Sequence, residues 1–285
     1  MFIVSLIARP GGLDASLVES LRNAFGGGTV GWLAPDEAAE FPVATRPADF
    51  DRVRAEVAEM ADLNLVAAEG RRKRMLLADM DSTMIQQECI DELAEEAGVG
   101  AHVKDITARA MNGELDFEGA LIERVALLKG LPESVIDRVV ETRITLMPGG
   151  RTLLDRMHAQ GGHCALVSGG FTAFTGRVAA LLGFDENQAN TLLVEDGTLT
   201  GEVGRPILGR EAKLQALETI TARLGLTPAE VIAVGDGAND LGMLGCAGMG
   251  VALHAKPSVQ AQCELRVNHG DLTALLYLQG YTRDW

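Results

Sequence analysis

Residues 75–83, MLLADMDST, place two carboxylates, Asp79 and Asp81, directly after a short apolar run. Three later apolar runs are separated by amphipathic helical patterns: Cys164–Val167, Val231–Val234 and Met249–Leu253. Apolar strands that alternate with such helices are typical of an α/β fold, with a parallel sheet covered on both faces. Because ligands of these sheets bind at the carboxyl ends of the strands, we expect Asp79 and Asp81 to line a crevice where they could share a divalent cation. By itself, the pattern also fits a carboxylate cap on the following helix.

A long segment without a strand pattern, from Ile85 to about Met147, separates the first two of these strands. Glycine and proline breaks divide it into several helical stretches: Gly98, Gly113, Gly130–Pro132 and Pro148. The segment is too long for a simple crossover, so we expect a helical cap insertion at about residues 85–147. Further on, residues 191–203, TLLVEDGTLTGEV, predict a small hairpin that turns at Asp196-Gly197.

The N-terminal stretch shows a different order of elements. Its patterns predict strand, helix, strand, strand, helix and strand: Phe2–Ala8, Asp14–Phe25, Thr29–Ala34, Phe41–Ala44, Phe50–Met60 and Leu63–Ala67. This order is that of a small ferredoxin-like α+β unit. The basic run Arg71–Arg74 that follows is typical of a solvated linker. We therefore expect an α+β domain over residues 1–70 and a larger α/β domain over residues 71–285.

The composition limits the partners and the location. The 285 residues carry 25 Lys+Arg against 40 Asp+Glu, a formal net charge of −15. This acidity argues against nucleic acid and anionic membranes as partners, because both favour basic proteins. The sequence shows no secretory signal and no membrane-length apolar run, so we expect a cytoplasmic protein. The four cysteines lie far apart and predict buried apolar side chains rather than disulfides or a zinc site, and none of the five histidines falls on a motif.

Three further motifs carry side chains that suit a phosphate or metal site. Ser168-Gly169-Gly170 follows the second apolar run and is expected to open a helix, where backbone N–H groups bind anions. Lys213 lies in the first turn of a predicted helix, and residues 235–240, GDGAND, follow the third run. Taken singly, these features are typical of turns and of a surface lysine. Their occurrence together, mostly at strand ends, indicates a site that combines carboxylates, a hydroxyl and a lysine.

With DMDST at 79–83, SGGF at 168–171, Lys213 and GDGAND at 235–240, the sequence resembles the haloacid dehalogenase-like phosphohydrolases from about Arg74 onward. The resemblance implies a Rossmann-like core. It also implies that Asp79 is the nucleophile and that Asp81 is the general acid and base.

The same resemblance implies a metal and a phosphate subsite. Mg²⁺ would be held by Asp79, the Asp81 backbone carbonyl and Asp236, with Asp240 in a supporting position. The residues implied to hold the phosphoryl group are Ser168, Gly169, Lys213 and Asn239. Thr83 would assist in orienting the site.

The cap is expected to select the substrate. By resemblance, Glu88 would pair with an ammonium group and Arg124 would hold a carboxylate bidentately. Met111 and Phe117 would shield the site with apolar side chains. These positions match the family members that hydrolyse O-phospho-L-serine, so we expect hydrolysis of this ester as the last step of serine biosynthesis.

Two alternatives stay open. The same chemistry fits a phosphatase or phosphotransferase that acts on another small phosphomonoester, such as homoserine phosphate. The N-terminal unit resembles ACT-type domains in its order of elements, which would make it a sensor of small molecules or a homodimer contact.

Overall fold

The computed structural model describes residues 1–111 and 114–284, without the side chains of Ala108, Ala110 and Met111. The N-terminal elements are β1 (Phe2–Ile7), α1 (Ala15–Ala24), β2 (Gly31–Ala34), β3 (Ala38–Val43), α2 (Phe50–Val57) and β4 (Asp62–Ala67). The next elements are β5 (Met75–Ala78), α3 (Cys89–Glu96), α4 (Gly100–Met111), α5 (Phe117–Ala126), α6 (Ser134–Thr142), α7 (Gly150–Ala159), β6 (His163–Phe171), α8 (Thr172–Leu182) and β7 (Glu186–Asn190). The last are β8 (Leu192–Glu195), β9 (Thr198–Val203), α9 (Ala212–Leu224), β10 (Val231–Gly235), α10 (Leu241–Cys246), β11 (Met249–Leu253), α11 (Pro257–Gln260), β12 (Leu265–Val267) and α12 (Ala274–Leu278). Within the described ranges, none of these helices has the length and apolar character needed to cross a membrane.

The N-terminal elements form a four-stranded antiparallel sheet in the order β2-β3-β1-β4. Alternate strand residues pack apolar side chains against α1 and α2, and Phe41 and Phe50 are fully buried between the two layers. The Asp14 carboxylate accepts the Ser16 N–H at 2.7 Å and caps α1. The predicted ferredoxin-like arrangement is confirmed, whereas the domain boundary at residue 70 stays a prediction.

The central sheet has six parallel strands in the order β12-β11-β10-β5-β6-β7. β5 and β10 lie at its centre and are buried along their whole length, which explains their continuous apolar sequences. α9 and α10 cover one face, and α7, α8 and α12 cover the other. The predicted α/β fold is confirmed, and the carboxyl ends of β10, β5 and β6 lie side by side.

The sheet differs from the prediction at its edges and in one strand length. The edge strand β7 reads ENQAN and the opposite edge strand β12 is short, so neither presents an apolar run. β6 was expected to end at Val167, but it continues to Phe171 past an irregularity in its pairing with β7. α8 therefore begins at Thr172 rather than at the Ser168 motif.

The helices α3 to α6 form the predicted cap, inserted between β5 and α7. The two ends of the insertion meet where Ile85 and Leu146 form an antiparallel bridge. The β8–β9 hairpin turns at Asp196 and Gly197, which adopt φ of 49° and 72°, as an Asp-Gly turn predicts. Leu199 of this hairpin donates its N–H to the Leu131 carbonyl at 2.8 Å. The cap is therefore held by the core at one end and by the hairpin at its side.

Side chains of β4 join the N-terminal sheet to β12. The buried Asn64 amide donates to the Arg266 carbonyl and accepts the Arg266 N–H, both at 2.8 Å. The Asp62 carboxylate accepts the N–H groups of Asn268 and His269, both at 2.8 Å. These bonds satisfy backbone groups at the edge of the central sheet that would otherwise be unpaired.

Candidate active site

Asp79 stands directly after β5, and its surroundings hold the carboxylate in place. Its N–H donates to the Val234 carbonyl at 3.0 Å, which ties the residue to β10. Its Oδ1 accepts the Met80 N–H at 2.7 Å and lies 2.7 Å from the Lys213 ammonium. Burial, followed by the negative charge of Asp240, raises the pKa of Asp79 well above its ordinary value. Asp79 therefore needs positive charge nearby to be fully ionised.

Asp81 faces the same crevice one residue further along. Its Oδ1 accepts the Cys89 N–H at 3.0 Å, and its Oδ2 accepts the Ser168 hydroxyl at 3.4 Å. The intervening Ser82 adopts φ of 54°, which is uncommon outside glycine, and its hydroxyl donates to Glu88 at 2.7 Å. Burial and then the charge of Glu88 raise the pKa of Asp81 to about 7. Near neutral pH, the Asp81 carboxyl group is therefore protonated in a substantial fraction of the molecules.

The GDGAND turn after β10 is built around the buried Asp240 carboxylate. A Cβ at position 235 would lie 2.4 Å from Asp240 Cγ, so the strand end requires a glycine. Asp240 Oδ2 accepts the N–H of Asp236 at 3.1 Å and the N–H of Gly237 at 2.8 Å. Burial and then the charge of Asp240 raise the pKa of Asp236 to about 6. The turn thus positions a second acidic side chain beside Asp79.

Two buried carboxylates, those of Asp79 and Asp240, share one lysine at this edge, and Asp236 lies beside them. Lys213 lies in the first turn of α9, as predicted, with its Nζ 2.5 Å from Asp240 Oδ1. Burial acts to lower the pKa of Lys213, but the charges of Asp79 and Asp240 outweigh it and raise that pKa. Carboxylate oxygens of Asp79, Asp236 and Asp240 lie within 4.8 Å of one another. The Lys213 ammonium is paired with two of these three carboxylates, and an oxygen-only set of ligands suits a hard divalent cation.

The Ser168-Gly169-Gly170 motif lies within β6 and does not open a helix as expected. The Ser168 hydroxyl accepts the Gly170 N–H at 2.9 Å. A Cβ at position 170 would lie 2.7 Å from Asp81 Oδ2, so a side chain there would displace that carboxylate. The present position of the Asp81 carboxylate therefore depends on a residue without a Cβ at position 170.

The cap contributes three of its four predicted residues to the same crevice. Glu88 precedes α3, Phe117 begins α5, and Arg124 lies in the last turn of α5. Burial lowers the pKa of Arg124 against the charges of nearby carboxylates. The Phe117 ring lies over Gly169, 3.0 Å from the point where a Cβ would stand. Met111 ends α4, and its side chain lies outside the described part of the chain.

These groups line one cavity of about 740 Å³ between the core and the cap. The predicted site residues along its wall are Asp79, Asp81, Glu88, Phe117, Arg124, Ser168, Gly169, Asp236 and Asn239. Lys213 and Asp240 do not line it, since both are buried behind Asp79. Thr83 is buried away from the wall, and its hydroxyl has no hydrogen-bond partner among the described residues. The cavity has the volume of a site for a small molecule.

The wall also includes polar residues that were not identified from the sequence. Arg210 and Lys256 add positive charge, and Thr107 adds a buried hydroxyl without a partner among the described residues. Lys256 follows β11, and its N–H donates to the Asp236 carbonyl at 3.2 Å. Its place after the fourth predicted strand, at the edge where ligands bind, was a usable signal. Arg210 precedes α9 without a pattern that marks it.

Residues 76–245 match the haloacid dehalogenase-like hydrolase family. The matched stretch runs from β5 to α10 and contains both acidic strand ends, the cap and Lys213. The chain therefore belongs to the haloacid dehalogenase-like hydrolases, the class that its fold and its site define.

Individual relatives are similar over most of the chain. The chain is 48% identical over 200 residues to the phosphoserine phosphatase of Streptococcus thermophilus. The aligned stretch makes up 70% of this chain and 93% of that protein. It is 43% identical over 255 residues to the phosphoserine phosphatase of Streptomyces coelicolor. The aligned stretch makes up 88% of this chain but only 62% of the relative's length. A crystal structure of a haloacid dehalogenase family hydrolase from Salmonella enterica serovar Typhi matches with a TM-score of 0.89, 31% identity and 98% coverage of both chains. The N-terminal sheet is thus part of the shared fold.

Proposed function

We propose that the protein hydrolyses O-phospho-L-serine to L-serine and inorganic phosphate, as the last step of serine biosynthesis. The observation that carries this proposal is the single cavity lined both by the acidic strand ends and by Glu88 and Arg124 of the cap. The substrate has matching parts, because its phosphoryl group suits the core while its ammonium and carboxylate groups suit Glu88 and Arg124. The names of the Streptococcus and Streptomyces relatives support the same substrate.

In the first step, an oxygen of the Asp79 carboxylate attacks phosphorus, and the bond from phosphorus to the serine oxygen breaks. The product on the protein is an aspartyl-phosphate. Asp81 gives its proton to the departing oxygen, so that serine leaves as a neutral alcohol. The raised pKa of Asp81, about 7, supports this role because the proton is present on part of the molecules at neutral pH.

In the second step, water attacks the same phosphorus, and the bond from phosphorus to Asp79 breaks. Asp81, which is now ionised, removes a proton from the attacking water and regains its starting state. Inorganic phosphate leaves, and Asp79 is again a free carboxylate.

The negative charge that collects at phosphorus must be offset by the site, because hydrolysis of phosphate monoesters is among the slowest uncatalysed reactions. Ser168, Gly169 and Asn239, which line the cavity, are proposed to hold the phosphoryl oxygens. Lys213 is proposed to reach the same group from beside Asp79, since its Nζ lies 2.7 Å from Asp79 Oδ1. Mg²⁺, held by Asp79, the Asp81 carbonyl and Asp236 with Asp240 in support, would when bound supply positive charge beside the phosphoryl group. The cluster of three carboxylates within 4.8 Å of one another, two of them paired with Lys213, supports a divalent ion.

The cap is proposed to set specificity and to exclude water. Glu88 pairs with the substrate ammonium and Arg124 with its carboxylate, while Phe117 and Met111 cover the reacting groups. The contact between Phe117 and the backbone at Gly169 supports this, since it brings an apolar ring over the phosphate side of the cavity.

Three further expectations remain proposals. The protein acts in the cytoplasm, and residues 1–70 and 71–285 form separate domains. The N-terminal unit, which resembles ACT-type domains in its order of elements, joins two chains into a homodimer or senses a small molecule such as serine.

Relative kcat/KM values for O-phosphoserine, homoserine phosphate and p-nitrophenyl phosphate test the substrate. We expect O-phosphoserine to be preferred. Arg124→Ala should lower kcat/KM for O-phosphoserine about 30-fold or more, because a buried charged hydrogen-bond partner is lost, and should leave p-nitrophenyl phosphate unaffected. The exposed cap residue Arg138, changed to alanine, is the matched control. An equal fall in kcat/KM for O-phosphoserine and p-nitrophenyl phosphate in Arg124→Ala would contradict the assignment of the substrate. A wild-type preference for homoserine phosphate would favour the alternative substrate.

A further inference from the structure

A second cluster of metal-binding side chains lies at the amino-terminal end of β6, away from the Ser168 end that lines the cavity. His158 is in the last turn of α7, Cys164 is in β6, and Asp185 precedes β7. His158 Nε2 or Nδ1, Cys164 Sγ and a carboxylate oxygen of Asp185 all lie within 4.8 Å of one another. The sequence showed no sign of this cluster because its members come from three separate elements.

The contacts of the cluster converge on a single oxygen, Asp185 Oδ2. This atom lies 3.0 Å from His158 Nε2 and 3.6 Å from Nδ1 of a second histidine, His163. It also accepts the Cys164 N–H at 2.7 Å, which fixes the carboxylate against β6. The side chains of His158 and Asp185 are 33% and 37% exposed, so an ion can reach them from solvent.

A carboxylate on the far side of the ring orients His163. Its Nε2 lies 2.5 Å from Glu186 Oε1, and Glu186 is also held by Arg223. When His163 donates its Nε2–H to Glu186, its Nδ1, which lies 3.6 Å from Asp185 Oδ2, is the ring nitrogen available to an ion. A carboxylate on the other ring nitrogen is also the usual partner of histidines that bind metals.

We propose that His158, His163, Cys164 and Asp185 form a site for one transition-metal ion of the zinc type. Nitrogen, sulfur and oxygen ligands in this combination suit a tetrahedral Zn²⁺ or Co²⁺, whereas Mg²⁺ prefers oxygen ligands alone. On binding, the Cys164 thiol loses its proton to solvent and forms a sulfur–metal bond, and the metal replaces the contact between His158 and Asp185.

A coordinated metal ion supplies positive charge beside Cys164 and favours its thiolate form. The bound ion would tie the end of α7 to β6 and to the start of β7. Its effect is therefore on stability rather than on the reaction at the other end of β6.

Titration of the metal-stripped full chain with Co²⁺, in saturating Mg²⁺, tests the site. We expect one tightly bound Co²⁺ per chain, with the visible bands of a tetrahedral ion and a thiolate-to-cobalt charge-transfer band. The charge-transfer band separates this site from the Asp79, Asp236 and Asp240 cluster, which offers only oxygen. Zn²⁺ should raise the thermal-unfolding midpoint of the same protein.

Variants identify the ligands. His158→Gln changes a side chain that is one-third exposed, and it should weaken Co²⁺ binding by at least about 10-fold. Glu186→Gln should weaken it by about 10-fold through the orientation of His163. Cys164→Ser should abolish the charge-transfer band. His102→Gln on α4 and Cys263→Ser are the matched controls and should bind as the wild type does. Absence of the charge-transfer band in the wild type, its survival in Cys164→Ser, or unchanged binding in His158→Gln would each overturn the proposal.

Discussion

The Lys213 ammonium lies 2.7 Å from Asp79 Oδ1, and both side chains are almost wholly buried. The same ammonium lies 2.5 Å from Asp240 Oδ1, whose partner oxygen organises the turn after β10. One cation thus connects the proposed nucleophile to the turn that carries Asp236. Charge balance and positioning at this edge therefore depend on the same side chain.

Replacement of Lys213 by alanine should damage both the reaction and the fold. We expect kcat/KM for O-phosphoserine to fall about 10²–10³-fold, because a preorganised positive charge is lost. The free energy of unfolding should fall by about 3–5 kcal/mol, because two buried carboxylates lose their partner. Phosphate-release kinetics and urea unfolding measure the two effects. The exposed Lys104, which pairs with Glu95, serves as the control when changed to alanine. A Lys213→Ala protein with wild-type kcat/KM would contradict the role given to Lys213.

Gly170→Ala tests how closely β6 must approach Asp81. The added Cβ would lie 2.7 Å from Asp81 Oδ2, so the carboxylate must move. We expect kcat to fall about 10²-fold, since a displacement near 1 Å at a reacting group costs about that much. Gly176→Ala on α8 is the matched control, because its Cβ meets no atom within 4 Å; it should keep full activity and gain about 0.5–1 kcal/mol of stability. Full activity in Gly170→Ala would show that the position of Asp81 is not critical.

Removal of divalent metal should abolish phosphate release, and added Mg²⁺ should restore it. Asp236→Asn should raise the Mg²⁺ concentration needed for half-maximal activity by at least about 10-fold, because a charged ligand becomes neutral. The exposed Asp155, changed to asparagine, should have no effect on that concentration. An activity that persists in chelator, or the same Mg²⁺ requirement in Asp236→Asn, would remove the case for a metal at this edge.

Asp62 should make the free energy of unfolding fall as pH rises, whereas a carboxylate paired with a cation makes it rise. Burial raises its pKa, although the N–H groups of His269 and Asn268 oppose the shift. Because the folded pKa exceeds the unfolded value of 3.8, the wild type should lose stability relative to Asp62→Asn as pH rises from 3.8 through the folded pKa. Above that pKa the difference should stay constant. Urea midpoints of both proteins across this range measure it.

Asp51 provides a control of opposite sign for the same titration. Its hydrogen bonds with Arg46 lower its pKa, so its stabilising effect is present above 3.8 and is lost as pH falls through the folded pKa. Asp51→Asn should therefore approach the wild type in stability at low pH. Parallel pH profiles for Asp62→Asn and Asp51→Asn would contradict the assignment of burial as the dominant effect at Asp62.

The central part of the fold was predictable because burial leaves a clear mark on sequence. β5 and β10 are buried on both faces and appear as continuous apolar runs, whereas the edge strand β7 is polar and resembles a loop. β12 is equally hard to predict. On the side that faces the N-terminal sheet, its backbone bonds to the Asn64 side chain rather than to another strand. Whether an edge segment forms a strand depends on contacts with residues that are distant in sequence.

The candidate site was predictable where motifs stand at strand ends and less so where tertiary contacts decide. Asp79, Asp81 and Asp236 could be placed from the strand pattern, and Glu88 and Arg124 from family resemblance. The extension of β6 through Ser168 to Phe171 depends on irregular pairing with β7, which no local pattern encodes. Lys256 lines the cavity because β11 ends beside β10, so its position after a predicted strand was a signal that could have been used, whereas no pattern marks Arg210.

Phosphate release from O-phosphoserine by the wild type and by Asp79→Asn, each in saturating Mg²⁺, tests the central claim most directly. The wild type should release phosphate, and Asp79→Asn should be slower by about 10⁴-fold or more while keeping its fold, because the attacking carboxylate oxygen is gone. Near-wild-type release by Asp79→Asn, or a wild type that leaves O-phosphoserine intact, would contradict the account.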